Sequence, residues 1–261
     1  MCLNATKPWY TFLWGCDVLT VSVFFIVLFG AFLQANIGFG FPIFAMIFFP
    51  SLFPFSTAVT LNQIIALAST GFLTIRYWKS IQWKMLLPLL ITSLLIGSLV
   101  IISSLQVASS TLTGILGVFL MGLALYFAFF SKRITIKPTI MNGLLMGMVA
   151  GLGNGLFGIG GPPVALYLFA AVEDKKQYLA TIQAYFLVCN IQSILIRGSH
   201  GAFEISHIPL ILVGWSAIAV GTYTGLLLFK RTPDHLLKRI VYLFVGASGL
   251  LIAFQQFILV S

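Results

Sequence analysis

The chain has 261 residues, 60% of them hydrophobic and only 7% charged, with a mean hydropathy of +1.08. A soluble domain carries about 25% charged residues, so 14 Lys and Arg with 5 Asp and Glu cannot clothe a water-facing surface of this size. A soluble globular protein is excluded, and the net charge of +9 does not indicate nucleic acid, because the basic residues form short clusters between apolar runs and no stripe along a face.

Taken in chain order, the N-terminal stretch first imitates a targeting signal. Leu13-Trp14-Gly15-Cys16 resembles a lipoprotein cleavage box, but Trp9 to Trp14 is too short and too aromatic for the apolar core of a signal peptide. Cys2, Cys16 and Cys189 have neither paired nor metal-type spacing. A bilayer core of about 30 Å needs about 20 apolar residues per helix. The run 18–50 is too long for one span, suits two helices or a hairpin, and is interrupted by Gly and Pro. Single long segments follow at 56–75, 85–104 and 109–130. A second interrupted run, 139–171, precedes segments at 177–196, 207–229 and 239–259. Short loops and the lack of any linker predict one all-α integral membrane domain over 1–261, with about eight to ten membrane segments.

The two interrupted runs resemble each other, which points to an internal repeat. Gly38-Phe39-Gly40-Phe41-Pro42 aligns with Gly158-Ile159-Gly160-Gly161-Pro162. One residue further on in register, Thr60 pairs with Thr181, Asn62 with Gln183, Arg76 with Arg197 and Pro88 with Pro209. A larger offset then sets Gly122 on Gly249. The halves are expected at about 18–130 and 139–259. Lys and Arg collect on the cytoplasmic side, and alternation of the spans places Arg76, Lys79, Lys84, Lys132, Arg133, Lys137, Lys175, Lys176, Lys230, Arg231, Lys238 and Arg239 inside. Only Lys7 and Arg197 remain outside, with both termini. Each half then has an odd net number of crossings, so the halves are inverted relative to each other.

Gly153-Asn154-Gly155-Leu156-Phe157-Gly158 fits the G-x-G-x-x-G dinucleotide fingerprint, which has meaning only between a β-strand and a helix. Here Gly143, Gly147 and Gly151 precede it at four-residue spacing, a close-packing face of a membrane helix. A break in that helix has a mechanism of its own. Glycines take backbone angles closed to other residues, and Pro162 and Pro163 suit the first turn of a new helix. A helix starting at Pro162 would aim free N–H groups and a positive dipole end into the protein, forming an anion site. Paired Gly/Pro breaks in corresponding places of two halves point to a transporter's binding site. The candidate substrate-binding residues are Gly38, Gly40 and Pro42 in the first break and Gly158, Gly160, Gly161 and Pro162 in the second. The polar neighbours Gln34, Asn36, Asn62, Gln63, Asn154, Thr181, Gln183, Asn190 and Gln192 complete the set. Taken singly, such amides are as often glue between helices as ligands. Arg76 and Arg197, at helix ends, either attract anions to the two mouths or anchor their helices at the interface.

The stretch GLFGIGGPPVALYL at 155–168, GFGFP at 38–42 and the two-repeat plan resemble the TauE/SafE family of sulfite and organosulfonate exporters. The resemblance implies a multi-pass inner-membrane transporter that exports small sulfur-containing or carboxylate anions. Phe41 stands where the family's first motif has glycine.

Other chemistry has little support. Gly246-Ala247-Ser248-Gly249 matches an intramembrane serine protease pattern, but no His follows Ser248 to act as base. His200, His207 and Glu204 read as loop residues. No enzyme activity, cofactor or metal is expected. Asp17, Glu173, Asp174, Glu204 and Asp234 all fall at segment ends, so no mid-membrane carboxylate is available as a proton relay. Coupling then falls to the anion's own proton, to Na+ held by unwound carbonyls, or to no ion at all. The expected partners are a small anion, the lipid bilayer and a coupling ion, Na+ or H+, with a homo-oligomer compatible with the composition. An anion channel is the alternative to a carrier, and an assembly protein is the alternative from another class.

Overall fold

The computed structural model describes residues 18–125 and 137–229. Nine α-helices run through them: α1 (Val18–Ile37), α2 (Phe41–Leu52), α3 (Phe55–Arg76), α4 (Trp83–Ser104), α5 (Ser109–Leu125), α6 (Ile140–Phe157), α7 (Gly161–Ala171), α8 (Lys175–Ser199) and α9 (Ile208–Phe229). Six of the helices are long and apolar enough to cross a bilayer, while α2, α5 and α7 are shorter. There is no strand among the described residues. In hydrocarbon every backbone N–H and C=O must be satisfied within the chain, which leaves helices as the economical outcome of such apolar runs. Large apolar side chains such as Phe29, Phe72, Leu95, Leu99 and Leu195 face outward.

Both interrupted runs form two helices, with breaks at 38–40 and 158–160. Thr139 caps α6 by accepting from Asn142 N at 3.2 Å, and Asp174 caps α8 by accepting from Gln177 N at 2.8 Å. α7 runs back beside α6, since the Tyr167 hydroxyl donates to Thr139 O at 3.3 Å. The segment predicted at 109–130 is described as far as Leu125, and the one at 239–259, with Gly249 and the serine motif, lies outside the described residues.

Between helices α1–α4 and helices α6–α9, the heaviest packing joins α4 to α6 and α1 to α9, followed by α3 with α8, α4 with α8 and α3 with α9. Exchanging α1–α4 for α6–α9 sends this set of pairs into itself. The α4–α6 seam shows how it is made. Side chains built on Gly147 and Gly151 would run into Leu89, Thr92 and Ser93 of α4. The absence of those side chains lets Thr92 Oγ1 donate to Leu144 O at 2.9 Å and Ser93 Oγ to Gly147 O at 2.7 Å. Without a hydrophobic drive between helices in lipid, small residues and such hydrogen bonds hold the seam. Of the glycines in the apparent nucleotide fingerprint, Gly155 extends this seam against Val100 and Gly97 O of α4, Gly153 packs beneath Ile159 O and Phe119, and Gly158 caps α6.

α3 and α8 are antiparallel. Ser56, at the start of α3, meets Arg197 near the end of α8, and Tyr77, just past α3, lies under Lys176 at the start of α8, with 5.7 Å from Nζ to the ring centroid. Arg76, Lys79 and Lys176 line one depression of about 510 Å³, so these cations share one end of the bundle. Ser56, Gln106 and His200 lie at the other.

Candidate functional site

In the first break Gly38 and Gly40 have φ of 86° and 145°, values open to glycine and strained for other residues. Gln183 of α8 closes this break: its Nε2 donates to Gly38 O at 2.8 Å, while its Oε1 accepts from Gln34 Nε2 at 3.2 Å. The same Gln34 nitrogen lies 3.4 Å from Ser69 Oγ. Phe41 is fully buried, with its ring under Gly30 of α1, and Pro42 is buried in the first turn of α2. Tyr178 and Ile182 crowd Gly38 from outside. The Asn36 side chain lies outside the described residues.

The second break ends α6 with Gly158 at φ 70°, and Ile159 N donates back to Gly153 O at 3.1 Å. This left-handed glycine cap turns the chain toward α7. Asn62 and Gln63 of α3 lie against it: a methyl built on Gly158 would sit 3.4 Å from Gln63 Nε2 and 3.5 Å from Asn62 Nδ2. Asn154 lies against Gly160, whose built methyl would be 3.2 Å from Asn154 Cβ and 3.2 Å from the Tyr185 hydroxyl. Both amide atoms of Asn62, Gln63 and Asn154 are buried without a hydrogen-bond partner. Groups in that state cost about 1–3 kcal/mol each and are rare in native proteins. Six such atoms around one chain break mark a place that a polar ligand would satisfy.

The N-terminus of α7 differs in detail from the sequence expectation. The helix starts at Gly161, and Pro162 and Pro163 remove two of the N–H groups that a first turn would offer. Phe39 of the first break packs against Gly161, 2.7 Å from the position a Cβ would take. Gly160 has an ordinary φ of −103°, so its need for glycine comes from crowding. Side-chain amides dominate the donors at this break.

The remaining candidates disperse. Thr181 accepts from Gln82 N at 3.0 Å and donates to Gln177 O at 2.7 Å, which ties the α3–α4 connection to α8. Gln192 bonds Leu94 O and Ser98 across the α4–α8 contact. Asn190 is buried on the α8 face that also carries Gln183. Arg76 is exposed, its guanidinium 5.9 Å from the Phe72 ring and 5.8 Å from that of Tyr77. Arg197 departs from its expected place at a mouth, for it is only 1% exposed. Sequence reasoning missed Ser69, Ser93 and Tyr185; Ser93 and Tyr185 hydroxyls meet at 2.7 Å beside the second break. The available signal was their placement, Ser93 opposite the glycine face of α6 and Tyr185 two residues past Gln183. His207 Nδ1 accepts from Glu204 N in a loop cap, and no metal-binding cluster of His, Cys, Asp and Glu exists among the described residues.

Residues 23–252 match the family model described as Sulfite exporter TauE/SafE. The chain belongs to this family. No curated protein and no solved structure matches it. Family membership and six apolar spans identify a multi-pass membrane protein of a transporter family, with sulfur-containing anions as the implied substrates. The family is one of transporters.

Proposed function

We propose that this protein carries a small sulfur oxyanion, sulfite or an organosulfonate, across the inner membrane by alternating access, with export as its direction. The transport domain takes in the whole of 1–261, and its two halves are inverted repeats with both termini outside. The antiparallel course of α3 and α8 and the exchange of packing partners between the halves support this reading. The binding site lies at the second break, where Asn62, Gln63 and Asn154 face Gly158 to Pro162. The first break, with Gln34, Gly38, Gly40, Pro42 and Gln183, is its counterpart and moves against it. The single observation that carries the site is the set of six unpartnered amide atoms around Gly158 and Gly160. Amide N–H groups suit an oxyanion, and the amide oxygens accept from a protonated oxygen or an amine on the same ligand.

The test is flux of sulfite from loaded proteoliposomes with taurine, sulfoacetate, thiosulfate, sulfate and acetate as competitors and Gly160→Leu as control. Saturable flux with counterflow is expected, lost in Gly160→Leu while the folded variant stays in the membrane. Flux linear in concentration would replace the carrier by a channel, and normal flux in Gly160→Leu would remove the second break from the pathway.

A further inference from the structure

We propose that Arg197 supplies the countercharge for the transported anion and that the site therefore selects substrates bearing a single net negative charge. The inference rests on the transport site at the second break and adds the residue that sets its charge. Arg197 is the one charged side chain among the buried described residues. Its Nη2 donates to Gly155 O, one turn before Gly158, at 2.6 Å, and its Nη1 donates to Ser56 Oγ at 3.3 Å. Nε is buried without a partner. Among the described residues no carboxylate pairs with it: Glu173 and Asp174 lie at the far end of α8, which Asp174 caps, and Glu204 is engaged by Ser206.

An uncompensated buried guanidinium costs several kcal/mol, and a charge held inside a membrane domain marks a functional position. Access also exists. Ser56, whose hydroxyl accepts from Arg197, lines a depression of about 450 Å³ with Thr57, Gln106 and His200. Inward along α8, Ser193 lies one turn from Arg197 and is fully buried with its hydroxyl unpartnered. Asn190 lies on the same face two turns away. An anion entering past Ser56 meets the guanidinium first, then Ser193, and then the amides of Asn62, Gln63 and Asn154.

The charge count follows. The amides are neutral and the guanidinium supplies one positive charge, so a sulfonate or hydrogensulfite gives a neutral occluded complex. A dianion such as sulfate leaves one negative charge in a low-dielectric interior, where an unpaired ion is strongly disfavoured. The competing role for Arg197 is a cap on the last carbonyls of α6. Glutamine at this position retains a donor for Gly155 O and removes the charge.

Labelled methanesulfonate and labelled sulfate are compared as substrates at one pH in proteoliposomes holding wild type, Arg197→Gln, Arg197→Lys or Asn154→Leu. Wild type is expected to carry methanesulfonate at least a hundredfold better than sulfate. Arg197→Gln should lose at least thirtyfold of methanesulfonate flux with its unfolding temperature unchanged or raised, and Arg197→Lys should recover part of the flux. Equal transport of the two anions, or full flux in Arg197→Gln, overturns the proposal. A capping role alone would lower the unfolding temperature and spare flux per folded molecule. Should Arg197→Gln fail to fold, the wild-type ratio of the two anions decides. Loss of flux in Asn154→Leu with full flux in Arg197→Gln would retain the site and reject the arginine, whereas full flux in both would reject the site as well.

Discussion

The two chain breaks share a G-x-G-x-P order, and their surroundings differ at each matching position. At the first, Phe41 fills the space beneath Gly30, and Gln34 and Gln183 bond each other and Gly38 O. At the second, Gly161 takes the place of Phe41, Asn154 that of Gln34, and Asn62 that of Gln183, and these amides have no partners. At the first break these amides bond one another and the backbone, while at the second they lack partners, which is why the proposed function places the ligand there. The G-x-G-x-P order sets where a chain breaks, while the side chains packed against each break decide how its polar groups are bonded.

The difference can be broken most severely at its hinge. Gly158→Val places a β-branched residue at φ 70° and against Gln63, and sulfite flux should fall more than a hundredfold with the protein still inserted. Giving the first break the glycine of the second, by Phe41→Gly, should leave a cavity and lower stability by about 3 kcal/mol in a reversible unfolding assay. A matched pair then separates the two roles. Asn154→Leu should reduce flux at least tenfold and leave the unfolding midpoint unchanged or higher, because it removes unpartnered groups. Gln183→Leu should instead cost about 1–2 kcal/mol by stranding Gly38 O and Gln34. The smallest effect belongs to Gln192→Leu, about 0.6 kcal/mol with flux intact, since this amide bonds only α4.

Much of the fold was legible because lipid enforces it. Apolar runs gave the helices, and Gly38 to Pro42 and Gly158 to Pro162 gave both interruptions, within a few residues of α1, α2, α6 and α7. The spacing of Gly143, Gly147 and Gly151 gave the seam with α4. The inequality of the breaks was not legible, because it depends on which helix of the other half lies opposite. Gln183 and Gln192 are both glutamines on α8, and only packing sends one to the first break and the other to α4. Arg197 was misplaced at a mouth for a related reason: nearness to a helix end in sequence says nothing about the cover provided by α3 and α6.

The pairing of α1 with α9 also bears on how the chain is made. Helices α4 and α6 are separated in synthesis by α5 and can dock as soon as both have left the ribosome. By contrast, α1 must wait in lipid for nearly the whole chain, with Gln34 unable to meet Gln183 until α8 has been inserted. A stall between α6 and α8 would therefore leave a half-built bundle with a polar amide facing hydrocarbon, a state that membrane quality control can recognise. The α1–α9 contact acts as a late clasp, closing only once α9 has followed the eight helices before it.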